Sequence, residues 1–401
     1  MSVFYLIKLL YALLPIPYVT IYYYYSLFYN LVMKEENIIS AIKSIIGDKY
    51  IGDDCAYLKD LGIVISQDSL VEDIHFSLDY TTPYKLGYKS AMVNISDISA
   101  SGGKSKYITV ALSLPKNIET EFVEEFYKGL KDACGDVEIV GGDITGSEKI
   151  VISVTIIGTT DGRKISSRSN AKSGHVVVVS GEHGSSAGGL KLLQQGSNRS
   201  EKLIESHLLP KAQTEFGKLI SSNISEDYAM MDSSDGLADA LFKIAQASHK
   251  TIIVDFNKII YSSELKDIFP DNYKELILYG GEDYQILATV PETFAKKYDL
   301  KIIGRVQDEI KNAPLKIMNF NKELLNTQFQ AAQKKIKDKY GTNDILIIEN
   351  KKRSHLVDDN LLKSDKKYDF GKSNLLHNPI INPENDIAYN RYINLRINKR
   401  N

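Results

Sequence analysis

Sulfur is scarce in this sequence, with Cys55 and Cys134 its only cysteines. The two thiols make neither a disulfide framework nor a metal-ligand spacing, which fits a reducing cytosol. Cys55 stands beside acids rather than beside histidine or lysine, so nothing there lowers its pKa, and it reads as packing. An excess of either charge is missing too. Lys and Arg number 49 against 51 Asp and Glu, a net charge of -2, so no overall field draws in nucleic acid or an anionic membrane.

Several familiar signatures are absent. No Ser/His/Asp or Cys/His arrangement for a nucleophile stands out. Gly103-Lys104-Ser105 looks like the end of a phosphate loop, but Ile98 occupies the place of its first glycine and a helix precedes it instead of a strand. Gly181-Glu182-His183-Gly184 follows an expected strand, yet its spacing fails the dinucleotide fingerprint. The protein-kinase set is missing, and Asp369-Phe370-Gly371 falls in a polar tail without partners. No repeat of solenoid period occurs.

What the chain has is acid next to glycine and serine. Asp54, Asp68, Asp97, Asp143, Asp232 and Asp235 each lie beside Gly or Ser, residues that let backbone approach a ligand and leave a carboxylate open. The apolar run Leu61–Ile65 predicts a buried strand, which puts Asp68 just past its end and Asp54 in the glycine turn before it. Carboxylates without a basic neighbour repel one another unless a cation holds them. Many carboxylates with no matching His or Cys point to hard cations, Mg²⁺ first, and to several ions bridging a polyphosphate. Six independent turn caps are the plainer account.

A chain of 401 residues with 43% hydrophobic and 25% charged content is long enough for two soluble domains. Helices are expected at Glu36–Ile46, Pro83–Ala100, Glu121–Ala133 and Leu237–Ala247, and from the Gly181–Gly189 loop through Leu193. Strands are expected at Tyr107–Leu114, Val137–Val140, Lys149–Thr159, His175–Ser180, Ala229–Asp232 and Thr251–Phe256, and after Tyr284. This alternation predicts two α/β-type domains, 34–160 and 161–335, followed by a polar, disordered tail at 336–401. Residues 3–32 are apolar and tyrosine-rich, with Lys8 their only charge. Pro15, Pro17 and the run Tyr22–Tyr25 make a poor spanning helix, so translation from Met33 is the expectation for 1–33 and a membrane anchor the alternative.

Taken in order, Gly52-Asp53-Asp54-Cys55-Ala56, Ser66-Gln67-Asp68, Val71-Glu72-Asp73-Ile74-His75-Phe76, Asn94-Ile95-Ser96-Asp97-Ile98, Gly141-Gly142-Asp143, Ser167-Arg168-Ser169-Asn170-Ala171, Asp232-Ser233-Ser234-Asp235-Gly236-Leu237 and Gly280-Gly281-Glu282-Asp283-Tyr284 resemble the motifs of thiamine-monophosphate kinases. The resemblance covers roughly residues 34–320. It implies a two-domain α/β (α+β) fold of the aminoimidazole ribonucleotide synthetase type: an N-terminal domain with a mixed sheet that dimerises, and a C-terminal α/β domain. It implies a cytoplasmic homodimer that phosphorylates thiamine phosphate with ATP as co-substrate and several Mg²⁺ ions. Carried over, Asp54, Ser66, Gln67, Asp68, Asp97, Asp143, Asp232 and Asp235 would hold Mg²⁺. Gly142, Asp143, Arg168, Ser234 and Tyr127 would contact ATP, and His75 and Glu282 the thiamine phosphate.

Some positions depart from that pattern. Gln67 replaces a usual threonine, and Ser101 and Ile144 are milder changes. The family's closing Gly-aromatic-Asp-His-Phe segment is missing; the chain reads Thr327-Gln328-Phe329-Gln330, with Phe329 as the substitute substrate contact. The competing readings are a related synthetase that forms a phosphorylated intermediate, and a non-catalytic, membrane-tethered binding protein.

Overall fold

The computed structural model describes residues 35–309 and strand residues 316–317 and 345–348. Residues 1–33, Phe329 and most of the 336–401 tail therefore lie outside the described residues. Helix α1 (Glu35–Ile46) belongs to a separate unit from the body Gly52–Tyr389 and is described by itself. Its Ile38, Ile42 and Ile45 are exposed.

Strands β1 (Ala56–Leu58), β2 (Ile63–Val71), β3 (Lys104–Leu114), β4 (Glu138–Gly146) and β5 (Val151–Thr159) form a sheet in the order β1-β2-β5-β3-β4. The β3–β4 pair is parallel and the rest are antiparallel, so the sheet is mixed. Along β5 the period of two is complete: Ile152, Val154 and Ile156 are buried while Ser153 and Thr155 face outward. Helices α2 (Pro83–Ala100) and α3 (Thr120–Cys134) cover the buried face, enclosing Val64, Ile108, Val110, Phe126, Leu130 and Ile152. The sequence puts α2 where it starts: Thr82 accepts the Lys85 N–H as N-cap, and Pro83 takes the first helical position.

The two helices touch through a glycine on each. A Cβ at Gly87 would sit 1.9 Å from the Phe126 carbonyl oxygen, and one at Gly129 1.8 Å from that of Tyr84. Neither backbone oxygen can yield without separating the helices. Gly87→Ala is therefore expected to destabilise the protein by about 3 kcal/mol, the upper end of overpacking costs, in denaturant unfolding followed by circular dichroism. A loss below about 0.5 kcal/mol would show that the helices have room.

Two sequence expectations fail in this sheet. Asp68 is not past a strand end, because β2 runs on to Val71 with Asp68 opposite Val154. Nor is Gly141-Gly142-Asp143 a turn. Strand β4 passes through it beside β3, and a Cβ at Gly142 would meet the Val110 carbonyl oxygen at 1.9 Å. The neighbouring strand supplies backbone partners that local glycine content does not reveal.

The second sheet holds β6 (His175–Val179), β7 (Ala229–Asp232), β8 (Lys250–Asp255), β9 (Ile286–Pro291), β10 (Lys301–Asp308), β11 (Lys316–Ile317) and β12 (Ile345–Ile348). Its order is β11-β12-β8-β10-β6-β9-β7, and every pairing is antiparallel. Strand β12 comes from the apolar cluster inside the expected tail. Between the strands run α4 (Ser185–Gln194), α5 (Glu201–Leu208), α6 (Thr214–Asn223), α7 (Leu237–Ala247), α8 (Ser263–Ile268), α9 (Tyr273–Tyr279) and α10 (Glu292–Lys297). The fold is thus the expected α/β (α+β) type, built on one mixed and one antiparallel sheet. No described helix is long and apolar enough to cross a membrane.

Candidate active site

Helix α2 is the element from which the site is built. Its face toward the protein carries Leu86, Lys89, Ser90, Val93, Asn94 and Asp97, the spacing of one helical stripe, with polar groups where a plain core helix would be apolar. Asn94 and Asp97 reach β2, and Ser96 reaches the end of β7. Asn94 Oδ1 accepts the Asp68 N–H at 3.2 Å, Ser96 donates to Asp232 Oδ2 at 2.5 Å, and Asp97 Oδ2 accepts from Ser66 at 2.5 Å. Asp97 sits in the last turn of α2, not in a loop, where the helix dipole disfavours negative charge.

Around this helix Asp54, Asp68, Asp97, Asp232 and Asp235 act on one another. Burial raises the Asp97 pKa well above the usual carboxylate range, and the charges of Asp68, Asp232 and Asp54 add to it. Burial, then Asp54, pushes Asp232 up to about 7, with the Ser96 hydroxyl opposing. Asp68 is raised by burial and by Asp54 and Asp235. For Asp54, burial outweighs the opposing Arg168 charge and the net shift is upward. Such repulsion is retained in proteins where something else benefits from it.

Basic partners are present after all, one from far along the chain and one from the following helix. Arg168, in a short 3-10 turn after a Ser167 cap, pairs with the Asp54 carboxylate, and its Nη1 donates to the Gly52 carbonyl at 3.2 Å. Its backbone N–H donates to Asp53 Oδ1 at 2.7 Å. Lys243 of α7 lies 3.0 Å from Asp235 and 2.7 Å from Asp239. The expectation that these acids lack basic neighbours is corrected by these ion pairs.

The sequence-derived residues divide into three places. Asp54, Ser66, Asp68, Asp97, Arg168, Asp232, Ser234 and Asp235 gather around α2. Gln67 lies between Ser66 and Asp68, so strand alternation turns it to the opposite face, where Thr155 donates to its Oε1 at 3.0 Å. There Gln67, Thr109, Ala111, Gly142, Asp143, Ser153 and Thr155 line an open groove of about 380 Å³. Tyr127 stacks edge-on against Phe126, ring centroids 5.6 Å apart, and packs on the first core. No contact takes it to the carboxylates.

The third place holds Glu282. Its carboxylate lies 3.2 Å from Lys89 Nζ and 3.4 Å from His207 Nδ1. Burial raises its pKa, but Lys89 and His207, with a smaller effect from His75, outweigh that and hold it below the usual value. The Glu282 side chain is three-quarters covered and ion-paired. His75 Nδ1 accepts the Val71 N–H at 2.9 Å. Lys89 and His207 were missed in the sequence, although a lysine on the apolar stripe of α2 between Leu86 and Val93 is a readable signal.

Cys55 is buried, and burial followed by the Asp97 charge pushes its thiol well up, in keeping with packing. Among the described residues no three His, Cys, Asp or Glu side chains converge closely enough to chelate one ion by themselves.

Residues 52–160 match the family described as AIR synthase related protein, N-terminal domain. Thiamine-monophosphate kinase of Aquifex aeolicus (strain VF5) is 38% identical over 286 residues, 68% of this chain and 92% of that one. The Bacillus subtilis (strain 168) thiamine-monophosphate kinase is 37% identical over 255 residues, covering 61% of this chain and 78% of its own. Among solved structures, AaThiL complexed with AMPPCP and TMP superposes with a TM-score of 0.64 at 37% identity, covering 68% of this chain and 91% of that one. The HypE–HypF complex, at 20% identity and a TM-score of 0.58, shares the fold. The chain belongs to the thiamine-monophosphate kinase family.

Proposed function

We propose that the protein transfers the γ-phosphoryl group of ATP to the phosphate of thiamine phosphate, giving thiamine diphosphate and ADP. The observation that carries this reading is the clustering of Asp54, Asp68, Asp232 and Asp235 near Asp97 of α2, in a family with a solved member captured with AMPPCP and TMP. The acceptor is already an anion at neutral pH. The reaction needs two phosphate groups held in line, with their repulsion offset, and no protein nucleophile.

The donors suit Mg²⁺: five mutually repelling carboxylates with the Ser66 hydroxyl, and neither histidine nor thiolate among them. Since no three converge, each ion would be held by one or two of Asp54, Asp68, Asp97, Asp232 and Asp235, with water and phosphate oxygens completing its shell. Mg²⁺ held there would supply positive charge to offset the repulsion of the phosphates. The chain's own part is positional. Arg168, held by Asp53 and Asp54, offers a guanidinium to the nucleotide, and Ser234, whose backbone N–H donates to Asp232 Oδ1, offers its hydroxyl.

Gln67, Gly142 and Asp143 line the groove on the other face of the first sheet, where Tyr107 of β3 is exposed and β4 is the open edge strand. A second copy docked on this face would cover Tyr107 and the edge of β4 and bring the groove to its own nucleotide, so the active form is read as a homodimer.

Purified protein incubated with thiamine phosphate, ATP and MgCl₂ tests the activity, with thiamine diphosphate quantified by chromatography. Absence of product from folded protein would overturn the reading. Asp143→Asn is expected to lower turnover by at least ~100-fold, the scale of losing one focused charge contact. Its melting temperature should stay within about 1 °C of wild type, because Asp143 is exposed and outside the repelling cluster. Near-normal turnover in excess Mg²⁺ would remove Asp143 from the site.

A further inference from the structure

The loop from Gly280 to Tyr284, between α9 and β9, is anchored in three directions by three consecutive side chains. Glu282 pairs with Lys89 of α2. Asp283 accepts the Gly184 and Ser186 N–H groups at 2.6 and 2.9 Å, at the start of α4. Tyr284 inserts into the core of the first sheet. Glu282 and Tyr284 both hold positive φ, 66° and 49°, which side-chain-bearing residues adopt at a cost of order 1 kcal/mol and keep only where surroundings over-determine them.

Lys89 is 3% exposed, so its ammonium lies too deep to meet a ligand. A buried ammonium is tolerated only with a close counter-charge, and Glu282 provides it. Both Lys89 and His207 approach the same oxygen, Oε2; among the described residues nothing donates to Oε1. Burial, followed by the nearby Lys89 charge, brings the His207 pKa down to about 3, so its ring is neutral at working pH and also meets the Ser186 hydroxyl at 3.1 Å. The Tyr80 ring stands edge-on to His207 at 6.3 Å.

We propose that Lys89 is a positioning residue for recognition of the cationic half of the substrate: it pins Oε2 of Glu282 from inside the protein, leaving Oε1 as the fixed negative point that the thiazolium ring meets. This rests on the function proposed above. Lys89 acts only through Glu282. The groups facing Glu282 are Lys89 from α2, His207 from α5, His75 and Tyr80 from the segment between β2 and α2, and Asp283 and Tyr284 beside it. Of these, only Lys89 carries a positive charge at neutral pH in direct contact.

The test begins with wild-type kinetics for both substrates, so that failure of the activity itself is seen first. Lys89→Met should then raise the KM for thiamine phosphate at least ~10-fold and leave the KM for ATP within about twofold, because one substrate loses its fixed counter-charge. The ratio of variant to wild-type KM for thiamine phosphate should grow as pH falls from 8 to 6, since buried Glu282 without its counter-ion takes up a proton more readily. A residue that merely supports the fold has no reason to produce that pH dependence. Lys89→Met combined with Glu282→Gln removes both charges and so avoids an unpaired buried one, which keeps the test open if the single variant fails to fold. Its KM for thiamine phosphate should match that of Glu282→Gln alone within about twofold. A double variant at least ~10-fold worse than Glu282→Gln, or a Lys89→Met protein in which both KM values rise together, overturns the proposal.

Discussion

Asp97→Asn is expected to slow phosphoryl transfer by at least ~100-fold while making the metal-free protein more stable at pH 8. The two effects share one cause. Asp97 sits in the last turn of α2, buried among the charges of Asp68, Asp232 and Asp54, at the end of a helix that favours cations. Every one of these features disfavours a carboxylate, and a neutral amide of the same shape relieves them all. The Ser66 hydrogen bond survives, because the asparagine carbonyl oxygen can accept it. A gain of about 1 kcal/mol corresponds to a rise of roughly 2–4 °C in a domain of this size. Turnover assays with excess Mg²⁺ and calorimetry of chelator-treated protein decide the matter. Should turnover stay near normal, or the melting temperature drop, Asp97 is a structural residue and the proposed metal assignment at α2 fails.

The same electrostatics set an expected dependence of stability on pH that runs against the ordinary acidic surface. Aspartates in the unfolded chain titrate near 4. In the folded chain Asp232 is pushed up to about 7, and Asp54, Asp68 and Asp97 are raised as well, so the native state binds these protons more tightly than the unfolded state. Their contribution is fully present below the unfolded pKa and is lost as pH rises through the folded values. For Asp232 alone the gap is worth roughly 4 kcal/mol, and Arg168 and Lys243 soften the total. Metal-free protein should therefore melt several degrees lower at pH 8 than at pH 5.5. Mg²⁺ competes with those protons, so it should raise the melting temperature more at pH 8 than at pH 5.5. Equal Mg²⁺ shifts at both pH values, or a metal-free protein that gains stability with pH, would show that these carboxylates neither repel nor gather cations.

Much of this was legible from residue order. The alternation of Val151–Thr159 announced β5, the apolar run Val176–Val179 announced β6, and the acids near glycine and serine picked out Asp54, Asp68, Asp97, Asp232 and Asp235, which the fold brings near one another. Local pattern suffices there, since a period of two or 3.6 and an acid beside glycine or serine are properties of neighbouring residues.

Direction and partnership are not. Asp68 and Gln67 are adjacent, yet one joins the α2 cluster and the other lines the opposite groove, because β5 extends β2 beyond the point where its own apolar run stops. Arg168 reaches Asp54 and Lys89 reaches Glu282 through separations that no local pattern encodes. Sequence by itself determined which residue types the chain offers and which short segments are regular. Tertiary structure alone decided which charges meet, because Coulomb interaction depends on distance in space and on burial, and both are set only when the two sheets close around α2.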